Sequence, residues 1–248
     1  MFFHGGGLDH GTRTSPPYLV HNNLGAFFAL EGILTVVADY RLVPNAVFPE
    51  GAEDVHDALL WVLEHVQEGD TSHVFVMGHS AGGVHVVTML LLPTLFSPPL
   101  VEAICGVILI GVPYEVTNNK TLPFRIAAEN YYQGEKKIMP NQPLGLLHRA
   151  DKNRVVSLPP ICNILAQSEP RRVKSANRTF LKLFKDKGGA IREIVLEGHN
   201  HVSPILALSS GVGEDWGKSV AKWILESVQN LIILHSSDGQ EREDAPRI

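Results

Sequence analysis

The sequence predicts an α/β fold, a mostly parallel sheet covered by helices on both faces, and two observations carry that reading. Segments 33–39, 73–77, 103–110, 161–166 and 191–196 are nearly continuous in hydrophobicity, as strands buried on both sides must be. Between several of them lie stretches whose apolar residues recur with helical spacing, and strand–helix alternation argues for a parallel sheet.

Taken in order, Met1-Phe2-Phe3 is a short apolar stub, and 33–39 is the next strand. Ala52, Val55, Ala58, Leu59, Val62, Leu63 and Val66 share one helix face. Strand 73–77 leads through a glycine-rich turn into a helical run at 84–92, and strand 103–110 follows. Residues 113–150 are rich in Asn, Pro, Gly, Tyr and Lys without clean periodicity, so they read as a cap-like insertion able to roof a site. Strand 161–166 precedes a helix carrying Val173, Ala176, Phe180, Leu183 and Phe184. Strand 191–196 precedes one carrying Trp216, Val220, Trp223, Ile224 and Leu231. Residues 1–234 therefore form a single domain, and 235–248, polar and charged, read as a disordered tail.

A net charge of −5 with no Lys/Arg stripe argues against nucleic acid as a partner. No apolar run approaches the roughly 20 residues of a bilayer span, and no signal peptide is visible. Cys105 and Cys162 lie in apolar segments and read as small core residues rather than a disulfide, which fits a reducing, cytoplasmic setting.

The strongest chemical signal is Gly78-His79-Ser80-Ala81-Gly82-Gly83, a G-x-S-x-G placed between strand and helix. A sharp turn there lifts a serine above the sheet edge, and the Ala81 amide can face a developing oxyanion. Taken alone, the pattern also describes a tight turn with a solvated serine. His4-Gly5-Gly6-Gly7 is the second signal, because glycines let successive N–H groups point into a cavity, so Gly5 and Gly6 join Ala81 in the expected oxyanion hole.

A base should follow the last strand, where Gly198-His199-Asn200-His201 stands. His201 is preferred and His199 is the runner-up. An H-x-H metal site is a lesser alternative, lacking further ligands. The orienting acid should follow the preceding strand, and Glu169 in Gln167-Ser168-Glu169-Pro170 occupies that place.

Together, His4-Gly5-Gly6-Gly7, Asp39-Tyr40-Arg41-Leu42, Phe48-Pro49, Asp54 and the Ser80 motif resemble the hormone-sensitive-lipase-type branch of the α/β-hydrolases. Glu169-Pro170 stands where that family has Asp-Pro, and Gly198 to His201 where it has G-x-x-H. The resemblance implies an α/β-hydrolase with Ser80, Glu169 and His201 as the triad, and a carboxylesterase acting on a small-molecule ester without cofactor or metal. Arg41 and Asp54 are implied to be framework partners. Kynurenine formamidases and fungal esterase-like proteins of secondary metabolism are neighbouring groups, so formamide hydrolysis is an alternative. A third reading is a hydrolase-like binding protein that has lost activity.

In related proteins a longer N-terminal segment supplies two further strands, and a full central strand leads into the glycine loop. Here the central strand is expected to be a stub between strand 33–39 and the nucleophile strand, leaving backbone groups on both neighbours without partners along part of their length. An incomplete gene model, a natural truncation of reduced stability, or dependence on a partner for that edge are the three expected explanations.

Overall fold

The computed structural model describes residues 1–14 and 20–243. Its strands are β1 (Phe2–Phe3), β2 (Val37–Ala38), β3 (Val74–His79), β4 (Ile104–Ile110), β5 (Ile161–Ala166) and β6 (Ile191–Leu196). They pair in parallel in the order β2-β1-β3-β4-β5-β6. Around them run α1 (Asn22–Leu30), α2 (Glu50–His65), α3 (Ala81–Leu91), α4 (Pro98–Ala103), α5 (Pro123–Tyr131) and α6 (Glu135–Asn141). They are followed by α7 (Pro143–Arg149), α8 (Lys152–Val156), α9 (Arg171–Asp186), α10 (Ser203–Ala207) and α11 (Asp215–Glu243).

Strand alternation explains the continuous apolar runs. Val74 and Val76 of β3, with Val107 and Leu109 of β4, enter a core that includes Val55 and Leu59 of α2 and Phe180 of α9. Their neighbours Phe75, Met77, Ile108 and Ile110 point to the other face, against Phe28 of α1 and Trp216, Val220 and Ile224 of α11. With side chains alternating at a period of two, both faces demand apolar residues, and each fully buried Val, Leu, Ile or Phe contributes about 1.5–3 kcal/mol. Cys162 is buried in β5 and Cys105 half-buried in β4, and both are free.

Several expectations change. The strand expected over 33–39 pairs only at Val37–Ala38, because its ladder partner β1 contributes just Phe2 and Phe3. Beside β1, a cavity of about 420 Å³ opens between the flanking segments, lined by Met1, Phe2, Val36, Val74, Phe75 and Val228. The Met1 amine is buried there and donates to the Phe75 carbonyl at 2.7 Å, and burial lowers its pKa from the ordinary 8.0 to about 5. Strand β6 is largely exposed, with Leu196 its one buried residue, because it is the sheet edge and carries Arg192 and Glu193.

The region 113–150 contains the short helices α5, α6 and α7, each opening at a proline or just after a glycine. From this region Val116, Ala127, Ala128, Tyr131, Tyr132 and Ile138 pack with Leu8 and Ala81. The polar segment read as a tail from 235 instead continues α11 to Glu243, since extending an existing helix costs far less than nucleating one. Residues 244–248 of that expected tail lie outside the described residues.

Candidate active site

The turn from β3 to α3 puts Ser80 at φ 50° and ψ −118°, a left-handed value that a side chain adopts only under strain. Its amide donates to the Ile110 carbonyl at 2.9 Å, so the strained residue is tied to the end of β4. Gly82 lets the turn approach the N-terminal loop: a Cβ there would lie 2.3 Å from the Phe3 carbonyl oxygen.

Three side chains meet at the carboxyl end of the sheet. His201 Nε2 stands 2.9 Å from Ser80 Oγ, and His201 Nδ1 stands 2.8 and 3.0 Å from the Glu169 carboxylate oxygens. The carboxylate can only accept, so it fixes the proton on Nδ1 and leaves Nε2 free to receive the serine proton. Glu169 is buried and the His201 ring is about a third exposed. The loops carrying them are laced together by Ser168 N–H to the His199 carbonyl at 2.9 Å and Gly198 N–H to Gln167 Oε1 at 3.0 Å.

His199, the runner-up base, turns away and hydrogen-bonds Ser203 Oγ at 3.0 Å. Among the described residues, no group of three or more His, Cys, Asp or Glu side chains is arranged to hold a metal ion. No described helix is long and apolar enough to cross a membrane.

The loop of Gly5 and Gly6 lies against the start of α3, where Ala81 stands, and is held from beneath. Buried His4 donates from Nδ1 to the Gly5 carbonyl at 2.7 Å, while its Nε2 meets Asp39 Oδ1 at 3.2 Å. The Tyr40 hydroxyl donates to the His4 carbonyl at 2.7 Å. The Asp39-Tyr40 pair thus buttresses the glycine loop, a task the sequence pattern did not reveal. Arg41 pairs with Asp54 through its main-chain N–H at 2.8 Å and its Nε at 2.9 Å, tying the following loop to α2.

Two further residues escaped the sequence reading. Gly111, directly after β4, has φ 57°, and a Cβ on it would lie 2.8 Å from Glu169 Oε1 and 3.1 Å from His201 Nδ1. A strand-ending glycine with positive φ is the signal that could have flagged it. His79, the x of the G-x-S-x-G, donates from Nε2 to the His201 carbonyl at 2.8 Å.

Among curated proteins, the chain is 38% identical over 101 residues to probable carboxylesterase 7 of Arabidopsis thaliana, covering 36% of this chain and 32% of that protein. It is 39% identical over 93 residues to tuliposide B-converting enzyme 1 of Tulipa gesneriana, covering 34% of this chain and 21% of that protein. The matched stretch therefore spans a third or less of those relatives' length. Among solved structures, carboxyl esterase 2 of Tuber melanosporum superposes with a TM-score of 0.71 at 20% identity, covering 91% of this chain and 77% of that one. An esterase of Pyrobaculum calidifontis gives 0.69 at 22% identity, covering 90% and 74%. These neighbours share the fold, and residues 1–204 match the model of the family described as alpha/beta hydrolase fold, so the chain belongs to that family.

Proposed function

We propose that the chain is a carboxylesterase that cleaves small acyl esters through an acyl-enzyme on Ser80. The observation that carries this reading is the continuous hydrogen-bond chain from Ser80 Oγ through His201 to Glu169, with separations of 2.9 and 2.8 Å. His201 Nε2 takes the hydroxyl proton as Ser80 Oγ attacks the ester carbonyl, and Glu169 stabilises the imidazolium that forms. The tetrahedral oxyanion accepts from main-chain amides of Gly5, Gly6 and Ala81, donors that are worth about 100- to 1000-fold each in rate. His201 then protonates the departing alcohol. Water, deprotonated by the same imidazole, releases the acid and restores the serine.

The name of one relative, a probable carboxylesterase, supports the ester reading over others.

The test is hydrolysis of 4-nitrophenyl acetate together with labelling by a fluorophosphonate. The wild-type chain is expected to turn over and to be labelled, and Ser80→Ala to lose both, with kcat down by about 10³-fold or more. Undiminished turnover by Ser80→Ala would overturn the mechanism. Preference for an N-formyl anilide over the acetate would move the substrate class to formamides.

A further inference from the structure

We propose that His79 is a positioning residue that clamps the loop carrying the general base to the rigid end of the nucleophile strand. The inference rests on the serine-hydrolase reading above and extends it to a group outside the three side chains.

His79 is the last residue of β3 and is paired in register with Ile110 of β4, so its backbone is set by the sheet. Its side chain is buried at 7% exposure. From there Nε2–H donates to the main-chain carbonyl of His201 at 2.8 Å, across 122 positions of sequence. The acceptor is a carbonyl, so the ring's hydrogen must sit on Nε2.

The loop it grips needs such a hold. It lies between β6 and α10, where the Val202 and Ser203 amides donate to Asn200 Oδ1, while Ser168 N–H to the His199 carbonyl and Gly198 N–H to Gln167 Oε1 tie it to the Glu169 loop. Those bonds set the loop's internal shape and its place beside Glu169. The bond from His79 fixes its distance from Ser80, because donor and nucleophile are adjacent in sequence.

The opposite side of the His79 ring abuts the glycine loop: a Cβ on Gly5 would come within 2.8 Å of His79 Nδ1 and 3.1 Å of Ser80 Cβ. One imidazole thus touches the base loop and the oxyanion loop while its own backbone leads into the nucleophile. The two rings lie 5.1 Å apart between centroids, tilted by 39°. A charge on His79 would oppose the imidazolium that forms on His201 during attack. Burial prevents that by holding the His79 pKa down at about 3, first through desolvation and then through the neighbouring His201.

The experiment compares His79→Phe, which keeps a ring and loses the donor, with His79→Gln, which returns an N–H at similar reach. Thermal unfolding first establishes that both variants fold. His79→Phe is expected to lose about 10- to 100-fold in kcat on 4-nitrophenyl acetate with KM nearly unchanged, since a misplaced base costs rate rather than binding. His79→Gln is expected to recover most of that loss. Wild-type kcat in His79→Phe, or equal impairment of both variants, would overturn the proposal, because a role in packing alone predicts no rescue by the donor.

A crystal structure of His79→Phe provides a readout independent of turnover. A His201 Nε2 to Ser80 Oγ separation beyond hydrogen-bond reach supports the clamp, and a separation unchanged from 2.9 Å refutes it. Failure of the esterase reading would instead appear as Ser80→Ala retaining full turnover, whatever His79 does.

Discussion

At the scale of single residues, the site depends on positions where a side chain is absent as much as on those where one acts. Gly111 leaves room for Glu169 and His201 to close on one another, at a φ of 57° that disfavours any Cβ. Gly111→Ala is expected to lower kcat by about 10- to 100-fold with little change in KM, because the added methyl pushes the acid–base pair apart without touching bound substrate. Steady-state kinetics on an aryl acetate measures this, and a kcat within about twofold of wild type would show that the pair absorbs the methyl. The grouping of Ser80 with Glu169 and His201 was legible from sequence, Ser80 through its local motif and the other two because strand order confines them to two loops. Gly111 and His79 were not, since their roles consist of contacts to residues far along the chain.

At the scale of elements, legibility followed burial and length. Strands β3, β4 and β5 are covered on both sides, so their sequences are nearly continuous apolar runs. The extent of β2 could not be read from its own residues, because the length of a ladder is set jointly with its partner, and β1 offers two residues. Helices α5, α6 and α7 span nine, seven and seven residues, about two turns each, too few for a 3.6-residue period to repeat visibly. The end of α11 was missed for a different reason: its composition is that of a solvated tail, yet it grows from a helix anchored by Trp216, Val220 and Ile224.

At the scale of the whole molecule, two buried histidines give the fold a shared acid sensitivity. Desolvation, first among the causes, holds His79 and His85 down at about 3 against an ordinary 6.5. Each is a base with a depressed folded pKa, so the unfolded chain holds more protons between the two values. Its contribution to stability is intact above the unfolded pKa and is lost as pH falls toward the folded one. Both therefore act from about pH 6.5 down to 3. Each costs at most about 1.4 kcal/mol per pH unit in that window. The midpoint of urea unfolding is therefore expected to rise steadily from about pH 5 to about pH 6.5, and a midpoint independent of pH in that range would contradict the burial of these groups.

The two-rung strand β1 is also the stem of the glycine loop, and that coupling has a consequence for how the molecule fails on warming. Two ladder pairs on each side hold Phe2 and Phe3, whereas β3 and β4 share six, so the sheet opens first at β1. Such opening would unseat Gly5 and Gly6 while the remainder of the sheet stays folded. Loss of the proposed esterase turnover is thus expected at a lower temperature than the collapse of circular dichroism. Coincident loss of the two signals would mean that the first strand melts only with the whole.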